Sequence, residues 1–189
     1  MTATFLAGTV LPAVLILMGL LGGALLVDIL LHAWGLAAVG RWLGPVGVSL
    51  LLLSFLHSLR RRRLITAGSP KGLLQLHETL GWLGALVLLV HGGIHLNAVI
   101  PWLALLAMVI VVASGLTGKV LLGEARRGLT AQRRALEERG LEPREIEQRV
   151  MGMALLTAVM QRWRSIHMPL TMCFAALALV HVLVTLLLW

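Results

Sequence analysis

Residues 76–99 read LHETLGWLGALVLLVHGGIHLNAV, an almost unbroken apolar run that carries His77 near its start and His91 and His95 near its end. A helix needs about 20 mostly apolar residues to cross a bilayer, and this run is long enough. Titratable groups inside such a run are costly, so intramembrane histidines are candidates for function. The stretch therefore predicts a membrane-spanning helix that carries a site.

Four other apolar runs flank this one, and together they predict an all-α membrane protein. We expect one domain, residues 1–189, built as a bundle of about five transmembrane helices with a cytoplasmic helical segment between the fourth and fifth. The mean hydropathy is +0.94 and only 13% of the residues are charged, about half the share usual in soluble domains. The expected spans are 5–31, 42–57, 76–99, 102–122 and 168–189, with Gly44-Pro45 inside or at the edge of the second and Pro101 in a tight turn before the fourth.

The positions of Lys and Arg predict the orientation of the chain. Four arginines at 60–63 and Lys71 lie between spans two and three, and residues 119–164 hold ten Lys or Arg. The positive-inside rule places both segments in the cytoplasm, with the N-terminus inside and the C-terminus outside, as expected for a multi-pass protein of the bacterial inner (cytoplasmic) membrane. Spans three and five then run parallel to each other. The net charge of +8 is explained by these topology signals, so we expect no nucleic acid partner.

The segment 123–166 is expected to form a cytoplasmic helical loop. Residues 124–139 mix both signs of charge, and Pro143 opens a second stretch that becomes apolar at 151–160. This pattern predicts two helices, the second at the membrane interface. The first reading is a solvated charged helix, and the alternative is a docking surface for a soluble partner.

Two pairs of histidines share one spacing. His77 and His91 are 14 residues apart on span three, and His167 and His181 are 14 apart on span five. Fourteen helical residues return to within roughly 40° of the starting face and rise about 21 Å. On parallel helices His77 then faces His167 near the inside, and His91 faces His181 nearer the outside. Two opposed imidazoles can provide both axial ligands of a haem iron, so the spacing predicts two haem b sites.

Four further residues belong to the predicted cofactor-binding set. His95 is one turn beyond His91, where it would meet a haem propionate, a quinone or outside water. Gly81 and Gly84 would let a flat macrocycle approach the backbone, although ordinary helix packing explains them equally. Arg164, just before His167, would pair with an inner-haem propionate or act only as a topology signal.

Other polar residues in the apolar runs have less specific interpretations. Asp28 and His32 are four apart near the outer end of span one, and they form either a proton-accepting pair beside an outer quinone site or a polar pair at the interface. His57 is level with His77 and is either an interfacial histidine, an alternative ligand or an inner quinone contact. Cys173 is the one cysteine, which excludes an intrachain disulfide.

The segments HETLGW (77–82), HGGIH (91–95) and WRSIHMP (163–169) resemble the membrane cytochrome b families. Paired histidines on two parallel helices are similar to respiratory cytochrome b and to the transmembrane domain of ferric reductases and NADPH oxidases. The resemblance covers 76–189 and implies that the four paired histidines are axial ligands. The chain departs from those families in having five expected spans rather than six or eight, and it contains no G-x-G-x-x-G loop.

These observations predict transmembrane electron transfer through two bis-histidine b-type haems, with the chain as the cytochrome b subunit of a quinone-linked membrane oxidoreductase and with no catalytic residue of its own. The expected partners are membrane lipid, a redox partner subunit or soluble electron carrier, and a quinone. One alternative is a stand-alone reductase like the ferric reductases. Another is a His-lined metal or proton transporter, but transporters usually place polar groups at the midplane on broken helices. A membrane anchor would leave the matched histidines unexplained.

Overall fold

The structure is a computed structural model, and it describes residues 10–93, 98–162 and 164–188. These residues are almost entirely helical and contain no β-strand, which confirms the predicted all-α class. The helices are α1 (Leu11–Ala33), α2 (Ala37–Ser54), α3 (Leu56–Arg61), α4 (Pro70–Gly92), α5 (Val99–Glu138), α6 (Pro143–Arg162) and α7 (Arg164–Leu188).

Five helical segments are long and apolar enough to cross a membrane: α1, α2 together with α3, α4, α5 and α7. The chain is thus a multi-pass helical bundle with the predicted number of spans. The expected first span began at residue 5, but residues 1–9 lie outside the described part of the chain. Large apolar side chains are exposed along all five segments, as expected where lipid rather than protein covers a helix.

The second span is longer than its hydropathy predicted. Gly44 and Pro45 lie inside α2 rather than at its edge, and α3 continues the span after a break at Phe55. Gly44 and Gly47 are buried, and α2 packs closely against α4 through glycines. A Cβ atom on Gly47 would lie 2.6 Å from the Leu88 side chain of α4. Small residues let the two backbones approach closely, and this favours association of helices in lipid.

The start of α4 lies six residues before the predicted apolar span. Ser69 is the N-cap, and its hydroxyl accepts a hydrogen bond from the Gly72 amide at 3.1 Å. Pro70 occupies the first helical position, where its missing N–H costs nothing. Hydropathy marks where a helix is apolar, whereas this Ser-Pro pair marks where the helix begins.

The fourth span continues without a break into the charged segment that was predicted as a separate helix. α5 has 40 residues and is therefore about 60 Å long, twice the roughly 30 Å of a bilayer core. Good helix formers follow the apolar part, and α5 ends only where Gly140 adopts a left-handed φ of 73°. Pro101 lies in the first turn of α5 rather than in the turn before it, and that position tolerates proline.

α6 returns along the far half of α5 and forms the α5–α6 hairpin. It begins at Pro143, as the sequence predicted. Its own small core consists of Leu136, Ile146 and Val150, which are buried, with Leu129 and Leu141 packed against them. The hairpin therefore has a hydrophobic core separate from that of the apolar bundle.

The core of the apolar bundle lies around α4. Ala85 and Leu88 of α4 and Met108 of α5 are buried together, and Phe174 of α7 packs against them. α5 contacts both α4 and α7, but among the described residues no Cα atom of α4 lies within 8 Å of one of α7. The backbones of the two helices that carry the histidine pairs are thus more than 8 Å apart over the described residues, and this separation is referred to as the gap between α4 and α7.

Candidate functional site

The structure brings together the two histidine pairs that the sequence predicted. The His91 and His181 ring centroids lie 6.5 Å apart, with an angle of 50° between the ring planes. His77 and His167 are close enough for their charges to interact. Both pairs bridge the gap between α4 and α7. The parallel arrangement predicted for these two helices is what places each pair at one level.

Two backbone carbonyls of α2, those of Gly40 and Ser54, hold the α4 histidines in place. His91 Nδ1 lies 2.9 Å from the Gly40 oxygen, and His77 Nδ1 lies 3.2 Å from the Ser54 oxygen. A carbonyl oxygen can only accept, so each Nδ1 donates and each neutral imidazole keeps its lone pair on Nε2. This is the usual support for a histidine that binds a metal through Nε2.

These two acceptors are also 14 residues apart, and α2 runs antiparallel to α4. Gly40 therefore meets His91 while Ser54 meets His77, in one consistent register. The sequence analysis did not include either acceptor. The equal spacing of Gly40 and Ser54 was a signal for them, but only once α2 was known to lie beside α4.

Gly44 provides the space for the His91 imidazole. A Cβ atom at this position would lie 2.7 Å from Cε1, 2.8 Å from Nε2 and 3.0 Å from Nδ1 of His91. These distances are shorter than van der Waals contact, so a larger residue would displace the ring. Gly44 was discussed in the sequence only as a question of where the helix begins, and its role in seating His91 was missed.

α5 holds His167 from the other side. The Ser114 hydroxyl lies 2.7 Å from His167 Nδ1, and Ser114 is buried. Next to it, a Cβ atom on Gly115 would lie 3.7 Å from His167 Cε1, which is ordinary contact. Within α7, Thr171 and Thr185 donate to the carbonyls of His167 and His181, each at 2.8 Å. These two threonines repeat the 14-residue spacing of the histidines.

The two glycines of the predicted set have different surroundings. A Cβ atom on Gly81 would have no side chain or neighbouring backbone of the described residues within 4 Å, so this position faces open space among them. One on Gly84 would lie 2.8 Å from the Leu51 side chain of α2. Gly84 therefore has the helix-packing role that was the alternative for both residues, and Gly81 keeps the room that a flat group needs.

Two members of the predicted set cannot be placed in the same way. His95 lies outside the described residues, and Arg164 begins α7 while its side chain is outside the described part. His57 does lie level with His77, as predicted, with ring centroids 5.7 Å apart and planes at 30°. The His77 end of the bundle therefore holds three histidines. Near them Lys119 of α5 pairs with Glu78 of α4 at 2.5 Å.

The way in which the histidines are grouped restricts what they can bind. In the residues that the structure describes, no three or more His, Cys, Asp or Glu side chains are grouped to hold a metal ion. A structural zinc ion needs four protein ligands, so a pair does not suffice. A haem iron needs only two, since the macrocycle provides the rest.

The spacing of the second pair also fits one iron between the rings. Imidazole–metal bonds of about 2.0–2.1 Å on both sides would place the two ring centroids roughly 6 Å apart. The observed 6.5 Å between the His91 and His181 ring centroids is close to this value.

Comparisons with known protein families, with curated proteins and with solved structures find no match for this chain.

Proposed function

We propose that this protein carries electrons across a membrane on two b-type haems, as the cytochrome b subunit of a quinone-linked oxidoreductase. His77 and His167 would hold one iron, and His91 and His181 the other. The observation that carries the proposal is the pairing of four histidines across the gap between α4 and α7, with the second pair 6.5 Å apart.

Bound haem would supply one-electron redox chemistry, and with a histidine pair holding each iron this chemistry would be electron transfer rather than oxygen binding. The chain's own residues fix the ligands. Gly40 and Ser54 accept hydrogen bonds from Nδ1 of the α4 histidines, and this fixes ring orientation and raises the basicity of Nε2. The Ser114 hydroxyl lies 2.7 Å from His167 Nδ1 and would hold that ring in the same way by accepting its N–H.

The orientation of the protein in the membrane follows from the charge pattern in this proposal. The arginines at 60–63 mark the His77 end as the cytoplasmic side of a bacterial inner membrane, so the His91 end faces outward. Electrons would pass between a quinone and a partner subunit or a soluble carrier. The α5–α6 hairpin projects from the cytoplasmic side and offers a surface for such a partner.

A haem assay tests the proposal directly. The protein is purified in detergent, and its haem is counted by the pyridine haemochromogen method together with a reduced-minus-oxidised spectrum. We expect two b haems per chain. His77→Leu and His181→Leu should each remove one haem, while Leu183→Ala, an exposed apolar residue of the same α7 helix, should keep both.

Electron transfer across the bilayer is tested in vesicles that enclose ferricyanide. Dithionite added outside should reduce the enclosed ferricyanide only when the protein is present, and either histidine variant should stop it. Folded protein that contains no haem would refute the proposal. Retained metal without haem absorption would instead support the transporter alternative.

A further inference from the structure

A cavity of about 410 Å³ opens at the His91 end of the bundle, between α1, α2 and α4. Its volume is in the range of small-molecule sites. The wall combines an acid, two imidazoles and a cation with small and apolar residues. Its main members are Asp28, His32, Arg41, His91, Gly40 and Val90.

Asp28 is the unusual member of this wall. It lies in the apolar helix α1 and is only 8% exposed, in a position where a carboxylate is costly. His32, one turn later, places Nδ1 2.9 Å from the Asp28 carbonyl and 3.4 Å from its carboxylate. The imidazole is nearly half exposed, so the pair connects a buried carboxylate to the surface of the bundle.

The wall as a whole suits a ring that carries two oxygens. Asp28 can accept a hydrogen bond from a hydroxyl, and Arg41 can donate to an oxygen. Leu31, Val90 and the alanines of α2 provide apolar contact for a ring. An anionic phosphate would be attracted by Arg41 but repelled by the Asp28 carboxylate, so a lipid headgroup fits less well.

We infer that this cavity binds the ring of a hydroquinone, with Asp28 and His32 as the groups that receive its protons. The ligand's role as electron donor rests on the proposed function. Oxidation of a hydroquinone to the quinone breaks two O–H bonds and releases two protons and two electrons. Asp28 accepts one proton, and His32 accepts the other through Nε2 because its Nδ1 donates to the Asp28 carbonyl oxygen, while the two electrons would pass one to each of the two proposed haems.

Binding is measured apart from electron transfer. Equilibrium dialysis of the dithionite-reduced protein against decylubiquinol gives a dissociation constant without turnover, because no electron acceptor is present. Asp28→Asn keeps the shape of the side chain but removes its charge, and Arg41→Gln removes the cation. We expect each variant to weaken decylubiquinol binding at least tenfold. Glu78→Gln, a carboxylate on α4 outside this cavity, should leave the constant unchanged.

A second variant tests the cavity without touching a charge. Ala38→Leu places a larger apolar side chain in the wall of the cavity. It should reduce the fraction of protein that binds decylubiquinol at every concentration of decylubiquinol. Unchanged binding in both Asp28→Asn and Ala38→Leu overturns the inference, as does wild-type protein that binds no decylubiquinol.

The two proposals fail in different ways in this experiment. Haem-free protein that binds decylubiquinol, with the expected loss in Asp28→Asn, keeps the cavity and refutes the haem proposal. If the protein contains two haems and its affinity for decylubiquinol is the same in the wild type, Asp28→Asn and Ala38→Leu, the haem proposal stands and the cavity proposal is refuted.

Discussion

Replacing Gly44 by alanine should displace the His91 imidazole and loosen the haem proposed at that end. The added Cβ atom would lie 2.7 Å from His91 Cε1, so the ring must retreat by roughly 0.7 Å or more to reach normal contact. The three nearest neighbours of the new atom all belong to the His91 ring, which α2 holds in place, and not to the end of a flexible side chain. The perturbation therefore falls directly on the predicted ligand.

The size of the effect follows from three contributions. Overpacking of a close contact costs about 1–3 kcal/mol. Weakening of the 2.9 Å bond between His91 Nδ1 and the Gly40 oxygen adds about 0.5–1.5 kcal/mol. Alanine in a helix returns up to about 1 kcal/mol relative to glycine. Taken together, these contributions predict that Gly44→Ala destabilises the protein by roughly 0.5–4.5 kcal/mol.

Gly22→Ala is the matched control, because a Cβ atom there would meet nothing within 4 Å. This variant should be neutral or slightly stabilising, so the two identical substitutions should have opposite signs. Thermal unfolding in detergent measures the stability, and haem content per chain measures the site. Gly44→Ala should lose one haem and keep the other. Two haems in Gly44→Ala, together with stability equal to that of Gly22→Ala, would refute the reasoning.

Two further predictions concern the support of the site and the hairpin. Ser114→Ala should cost about 0.5–1.5 kcal/mol of stability, because His167 loses its 2.7 Å hydrogen bond to the Ser114 hydroxyl. The denaturant midpoint for haem loss should fall accordingly. Ser49→Ala, which removes an exposed hydroxyl on α2, should leave that midpoint unchanged. Unchanged haem retention in Ser114→Ala would contradict this. Leu136→Ala should cost about 2–5 kcal/mol within the α5–α6 hairpin, where it packs against Ile146, and speed hydrogen exchange there without loss of haem. Haem loss in this variant would show that the hairpin and the bundle are not separate units.

The paired histidines could be predicted from the sequence because their geometry is local to each helix. Helical rise and rotation fix how His77 and His91 relate on α4, and the same holds for His167 and His181 on α7. The charge pattern then gave parallel directions for the two helices. Those steps need no knowledge of packing, and the structure brings both pairs together.

The supporting residues could not be predicted in the same way. The hydrogen bond from His91 to Gly40 depends on α2 lying beside α4, and hydropathy does not determine which helices are neighbours. The continuous α5 was missed for another reason. A change from apolar to charged residues marks where a helix leaves lipid, whereas a helix ends only at a residue such as Gly140 that stops it.

The His77–His167 pair and the His91–His181 pair lie at two levels of the bundle. The same 14-residue spacing separates the two levels on each helix, but the surroundings of the two pairs differ. Acceptors on α2, histidines on α4 and α7, and threonines on α7 all repeat after 14 residues, about 21 Å along a helix. At one level a third histidine, His57, lies beside His77. At the other level His91 borders the cavity that contains Asp28. Two equal ligand pairs in unequal environments would give two haems of different potential, since hydrogen bonds and nearby charge tune a haem. Such a difference is what directed transfer between the two faces of a membrane requires, and a redox titration with two separate midpoints would be its measurable sign.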